Sequence, residues 1–177
     1  MPVKRVVMVI DMQNGVFAMA RANRALVCQR INQLIDEADH VVFIQHAEEE
    51  MQPGTHSFDL LPELHRPDGA LYVTKTACDA FWHTPLEQTL AQADINAFVV
   101  CGCATDYCVD TTIKNDASRG FSITVAEDAH TTANRQAAKA EVLIAHHNDV
   151  WRNLTVPGNP VFVRPVAAIL AEWRMPG

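Results

Sequence analysis

Apolar residues along this chain gather in short continuous runs, separated by stretches where they recur every three to four positions. A run of four to six apolar residues with no polar alternation predicts a strand covered on both faces. Residues 5–10 (RVVMVI), 41–45 (VVFIQ), 71–74 (LYVT), 97–101 (AFVVC), 121–125 (FSITV) and 161–163 fit that pattern. Between them, residues 23–38 place Val27, Ile31, Leu34, Ile35 and Ala38 on one face, the spacing of an amphipathic helix. Residues 85–93 predict a helix with Thr84 as N-cap and Pro85 in its first turn. Residues 105–119 predict another, which Gly120 can terminate. An Ala-rich stretch at 134–147 and the segment 166–173 predict two more. Residues 47–70 show no clear period and hold Pro53, Gly54, Pro62, Pro67 and Gly69. A loop this long in a compact domain usually forms a lid or a pocket wall. Strands alternating with helices predict right-handed crossovers and an α/β fold, a three-layer α/β/α sandwich on a six-stranded parallel sheet.

Composition narrows this picture. At 177 residues without repeat, low-complexity tract or linker, the chain is expected to form one domain, residues 1–177. A chain of this size buries enough surface to need no disulfide or metal for its core. Its net charge of -7 disfavours nucleic acid and anionic membranes as partners. The first apolar stretch is ended by Asp11 after five residues, short of the ~7–15 of a signal peptide. The cysteines, Cys28, Cys78, Cys101, Cys103 and Cys108, are odd in number. Free thiols in the cytoplasm are therefore expected.

Ligands of parallel α/β sheets bind at the carboxyl ends of the strands. Asp11 follows the first predicted strand, Lys75 the third, and CGCATDYCVD, with Cys108, the fourth. An acid, a base and a thiol thus reach one edge. With Thr105 as N-cap, Cys108 falls in the first helical turn, where the helix dipole and free N–H groups favour a thiolate and lower its pKa. On this reading Cys108 is alkylated ahead of Cys28 and Cys78. The ordinary roles of these residue types remain open: a small buried cysteine, a solvated lysine, a turn-forming aspartate. Phe17, Phe81, Trp82 and Tyr107 flank these motifs and are candidate pocket walls, with core packing the alternative for Phe17 and Phe81. Cys101, Cys103 and Cys108 lack metal spacing. His146 and His147 read as the polar face of a helix end, and Glu48–Glu50 as a solvated charge run.

Three blocks together resemble the isochorismatase-like cysteine hydrolases, which include nicotinamidases and other small-amide amidohydrolases. They are VIDMQN around Asp11, VTKTACDAF around Lys75 with Thr84, and VVCGCATDYCVDTTIKNDASRG around Cys108. VAEDAHTT and LIAHHNDV resemble one branch of the same family, so the likeness covers nearly the whole chain. The resemblance implies a Rossmann-like fold and an Asp11–Lys75–Cys108 triad. It also implies a cis peptide between Cys103 and Ala104, and an oxyanion site from the backbone N–H groups of Ala104 and Cys108. A homodimer or homotetramer is implied as well, with Trp151 and Trp173 as interface anchors or as core residues.

Nicotinamidases carry an Asp-x-His metal motif after the second strand. Here that place reads Gln45-His46-Ala47-Glu48, with His56 later, so no metal and no other cofactor is expected. The expectation is hydrolysis of an amide-type C–N bond in a small-molecule substrate through a thioester on Cys108. Two alternatives stand beside it. One is a vinyl-ether hydrolase using Asp11 as general acid, which would survive loss of Cys108. The other is a ligand-binding protein without catalysis.

Overall fold

The computed structural model describes residues 3–176. Strands β1 (Val6–Ile10), β2 (His40–His46), β3 (Leu71–Lys75), β4 (Ala97–Cys103), β5 (Ser122–Thr131) and β6 (Phe162–Arg164) form one sheet in the order β3-β2-β1-β4-β5-β6. All its pairings are parallel. The chain winds outward from β1 to one edge, then returns to its other side through β4. The order reverses between β1 and β4, which is where ligands of such sheets bind.

Alternation along β1 builds both halves of the core. Val7 and Val9 face helices α1 (Arg24–Glu37) and α5 (Val166–Trp173), among Ile31, Leu34, Ile169 and Leu170. Val6, Met8 and Ile10 face the other layer, with α2 (Leu86–Gln92), α3 (Asp110–Ser118) and α4 (Ala140–Arg152). All five β1 residues are buried, as a central strand covered on both faces requires. Trp151 on α4 is fully buried and donates its indole N–H to Asp110 Oδ1 at 2.9 Å. It is a core residue and not an interface anchor.

Several boundaries move for identifiable reasons. The helix predicted at 105–119 divides into a wide π-helical turn, Thr105–Val109, followed by α3. Gly120 ends α3 at φ 95°: its N–H bonds to the Ala117 carbonyl while that of Phe121 bonds to Asp116. The Leu86 N–H at the start of α2 donates to Thr84 Oγ1 at 3.3 Å, with Pro85 between them. β5 runs to Thr131, and its register with β4 slips between Val100 and Gly102, which pair with Val125 and His130. The Ala-rich helix starts at Ala140, not at 134, because Asn134 Oδ1 takes the Ala140 N–H at 3.0 Å across an irregular segment. No helix among the described residues is long and apolar enough to cross a membrane.

Candidate active site

Strands β1, β3 and β4 each hand one side chain to the carboxyl edge of the sheet. Asp11 directly follows β1 and takes a left-handed backbone conformation, φ 51°, which aspartate tolerates better than most residues. Its N–H is held by the Ile44 carbonyl at 2.9 Å, fixing the turn to β2. Lys75 is the last residue of β3 and is 1% exposed. Cys108 lies on the π-helical turn after β4, and the Cys103–Ala104 peptide leading into it is cis. Close approach of β4 to β1 at this end depends on Gly102. A Cβ built there would lie 2.2 Å from the Ile10 carbonyl oxygen, and its φ of 121° suits glycine.

The Lys75 ammonium is the centre of the cluster. Its Nζ is 2.9 Å from Asp11 Oδ2, 2.9 Å from His46 Nδ1, 2.9 Å from the Ala77 carbonyl and 3.3 Å from Cys108 Sγ. An ammonium has three protons, so four acceptors compete for them, and the neutral thiol is the weakest. Burial works to lower the lysine pKa, but its polar neighbours, the Asp11 carboxylate foremost, outweigh it and hold the pKa above its ordinary value. Burial and the neighbouring ammonium lower the pKa of His46, which leaves Nδ1 as an acceptor for Lys75.

Cys108 departs from the expectation of an acidified thiol. Burial first, and Asp11 second, push its pKa up, and the attraction of Lys75 does not compensate. The dipole argument assumed a regular helix start open to solvent. The residue instead sits in a wide turn, largely enclosed and facing a carboxylate. Cys108 is therefore a neutral thiol in the resting state, and Cys78 is the exposed cysteine. The other oxygen of the carboxylate, Asp11 Oδ1, is buried and has no hydrogen-bond partner, which leaves it open to receive a proton.

A cavity of about 340 Å³ opens over this cluster, at the small end for ligand sites. Asp11, His46, Ala104, Tyr107 and Cys108 line it, with Val16, Arg21, Glu48, Met51, Cys78 and Arg135. Of the four aromatic residues expected in its wall, only Tyr107 is there. Phe17 is buried under β1 on the α1 side. Phe81 is buried against Phe121 on the opposite layer, and Trp82 stacks on His83 at the surface. Glu48 and Met51 come from the loop after β2, which Gln13 pins down. Gln13 Nε2 donates to the carbonyls of His46 and Phe58 at 3.0 and 2.9 Å, and its Oε1 accepts the His46 N–H at 2.8 Å.

Ligand atoms of Asp11, His46 and Cys108 lie within 4.8 Å of one another, and among the described residues this is the group with metal-binding geometry. It does not fit a metal ion. All three donors already face the Lys75 ammonium, and a divalent cation there would meet a fixed positive charge at close range. His56 is exposed on the loop.

A family model described as the isochorismatase domain matches residues 5–149. Streptothricin hydrolase of Streptomyces noursei is 31% identical over 142 residues, covering 74% of this chain and 56% of that protein. Ureidoacrylate amidohydrolase RutB of Variovorax paradoxus is 29% identical over 90 residues, 50% of this chain and 36% of that protein. The chain thus spans about half or less of the lengths of these two relatives. Among solved structures, a cysteine hydrolase from Pseudomonas syringae pv. phaseolicola superposes with a TM-score of 0.83 over 98% of this chain and 97% of that one. At 18% identity that likeness speaks to the fold.

Proposed function

Because the chain belongs to the isochorismatase family, we propose that it is a cysteine hydrolase that cleaves an amide-type C–N bond of a small molecule, with Asp11, Lys75 and Cys108 as its catalytic residues. Chiefly, the position of the Lys75 ammonium, 2.9 Å from the carboxylate and 3.3 Å from the sulfur, supports this reading. The names of the two relatives, a hydrolase and an amidohydrolase, support it further.

The chemistry follows from the resting protonation. Cys108 begins as a thiol and Asp11 as a carboxylate. As the sulfur attacks the amide carbonyl carbon, its proton passes to Asp11, and an S–C bond forms. The ammonium shifts a proton donor toward the developing thiolate, so the proton leaves without an isolated buried anion forming. The carbonyl oxygen, now negative, is held by the backbone N–H groups of Ala104 and Cys108. Asp11 then gives its proton to the nitrogen, the C–N bond breaks and the amine departs, leaving a thioester on Cys108. Water attacks that carbon, Asp11 takes one of its protons, the S–C bond breaks and the proton returns to sulfur. The sum is amide plus water giving acid plus amine. His46 keeps Lys75 oriented through Nδ1. A subunit partner is compatible with this scheme, in which all three catalytic groups come from one chain.

The test is a screen of small primary amides for ammonia release, with Cys108→Ala as control. The expected result is turnover of a subset, reduced at least about 1000-fold in the variant, since loss of a nucleophile removes the covalent route. Ammonia release that survives Cys108→Ala would contradict the proposal.

A further inference from the structure

Arg21 is the one cation in the cavity wall whose charge the described residues leave unanswered. It sits on the segment between β1 and α1, and that segment is tied down. The Ala22 N–H bonds to the Thr132 carbonyl at 3.0 Å, and the Thr131 hydroxyl donates to the Ala22 carbonyl. The guanidinium Nε donates to the Val16 carbonyl at 3.0 Å. Nη1 is shut off from solvent and has no partner. A guanidinium N–H enclosed without an acceptor is costly and is rarely kept in a structure without a use.

The other charges lining the cavity are already paired or face outward. Arg135 binds Asp106 through Nε at 2.9 Å, donates to Thr132 Oγ1 at 3.1 Å, and stacks 4.7 Å over the Tyr107 ring. Asp11 is neutralised by Lys75. The Glu48 side chain is 65% exposed and turns toward His46 at 3.7 Å.

Building on the amide hydrolysis described above, we propose that the substrate carries a carboxylate and that Arg21 is the residue that binds it. The planar fork of a guanidinium matches one carboxylate bidentately, once the enclosed Nη1 of Arg21 turns toward the cavity. A single uncompensated cation in about 340 Å³, with Glu48 at the rim, suits one negative charge and would underserve a phosphate dianion. Val16 and Met51 in the same wall suit a short hydrocarbon between the carboxylate and the scissile amide. The substrate class is thus a small amide of an ω-carboxylic acid. Arg21 is a specificity residue: it takes no part in proton transfer.

The test compares matched amides with the wild-type chain, Arg21→Gln and Arg21→Lys. Malonamate, succinamate and glutaramate are each paired with the uncharged amide in which a methyl group replaces the carboxylate. Ammonia release gives kcat/KM for each pair, and calorimetric binding to Cys108→Ala gives affinities without turnover. The wild type should prefer at least one carboxylated amide by about tenfold or more, as a charge-assisted contact gives. Arg21→Gln should bring that ratio close to one, mainly through KM. Arg21→Lys, which keeps the charge but not the fork, should fall between and serves alone if the glutamine variant does not fold. A merely structural role for Arg21 would lower both members of a pair together and leave their ratio intact. Equal handling of the paired amides, a ratio preserved in Arg21→Gln, or absence of binding by all of them would overturn the inference. Turnover of the uncharged amides with no preference would do so while leaving the hydrolase reading standing. Carboxylate-selective binding lost in Arg21→Gln, but without turnover of any amide, would support Arg21 and count against the hydrolysis.

Discussion

Lys75 shows how much one buried side chain carries. Buried with its ammonium among a carboxylate, an imidazole, a carbonyl and a sulfur, it neutralises Asp11 inside the protein. Lys75→Met should therefore lower stability by about 3–5 kcal/mol, because the carboxylate is left buried and uncompensated. Urea denaturation checks this, and Asp11→Asn in the same background should restore a part, since it removes the stranded charge. The same crowding predicts that activity survives exhaustive chelation, because the ammonium holds the donors a metal would need; loss of turnover on chelation, restored by zinc, would refute that. Asp11, Lys75 and Cys108 could be picked out in the sequence, each being a reactive residue type just beyond a legible strand. Arg21 could not. Nothing in its local sequence distinguishes it from a surface arginine, and its importance lies in an acceptor it does not have. The aromatic residues mislead for the opposite reason: Phe17 and Phe81 are near the motifs in sequence, yet the short turns that carry them, after β1 and after β3, point them into the core.

At the scale of elements, the polar residues buried between β5, the π-helical turn and α4 hold the turn that bears Cys108. Asn148 donates through Nδ2 to the Glu127 carbonyl, so its Oδ1 accepts from His130 Nε2 at 2.8 Å. His130 Nδ1 is then free to accept the Thr105 hydroxyl at 2.7 Å, at the start of the turn. The arrangement requires a neutral imidazole. Burial lowers the His130 pKa from 6.5 to about 4, with His147 acting in the same direction and Asp128 against it. Since the folded pKa lies below the unfolded one, the unfolded chain binds a proton first as pH falls. The stability from this group is complete above pH 6.5 and is lost as pH drops toward 4, on the order of 3 kcal/mol over the window. Denaturation at pH 7.5 and pH 5 should show wild-type stability declining on acidification and His130→Gln declining less; an equal decline in both would contradict the assignment. Strand positions were legible because continuous apolar runs have few other uses. The split of the helix after β4 and the late start of α4 were not, because a π-helical turn and a cap from Asn134 leave no mark on apolar spacing.

For the whole molecule, the decisive feature is the sheet order. It sets β1 between β2 and β4, with β3 beyond β2, so residues far apart in the chain meet at one edge. That the fold is a parallel α/β sandwich follows from alternation in the sequence, whereas the side of β1 on which each strand lands rests on handed crossovers and packing that the sequence does not spell out. The central claim is that this convergence makes Asp11, Lys75 and Cys108 one catalytic unit, with the proton moving between sulfur and carboxylate. The most direct measurement is turnover of one confirmed amide by Asp11→Asn, by Cys108→Ala and by the double variant. Asp11→Asn should lose at least about 100-fold, the usual worth of a general acid–base, and Cys108→Ala more. The double variant should fall far short of the product of the two losses, because a unit already broken has little left to lose. Losses that multiply, or a single variant that keeps full activity, would contradict the account.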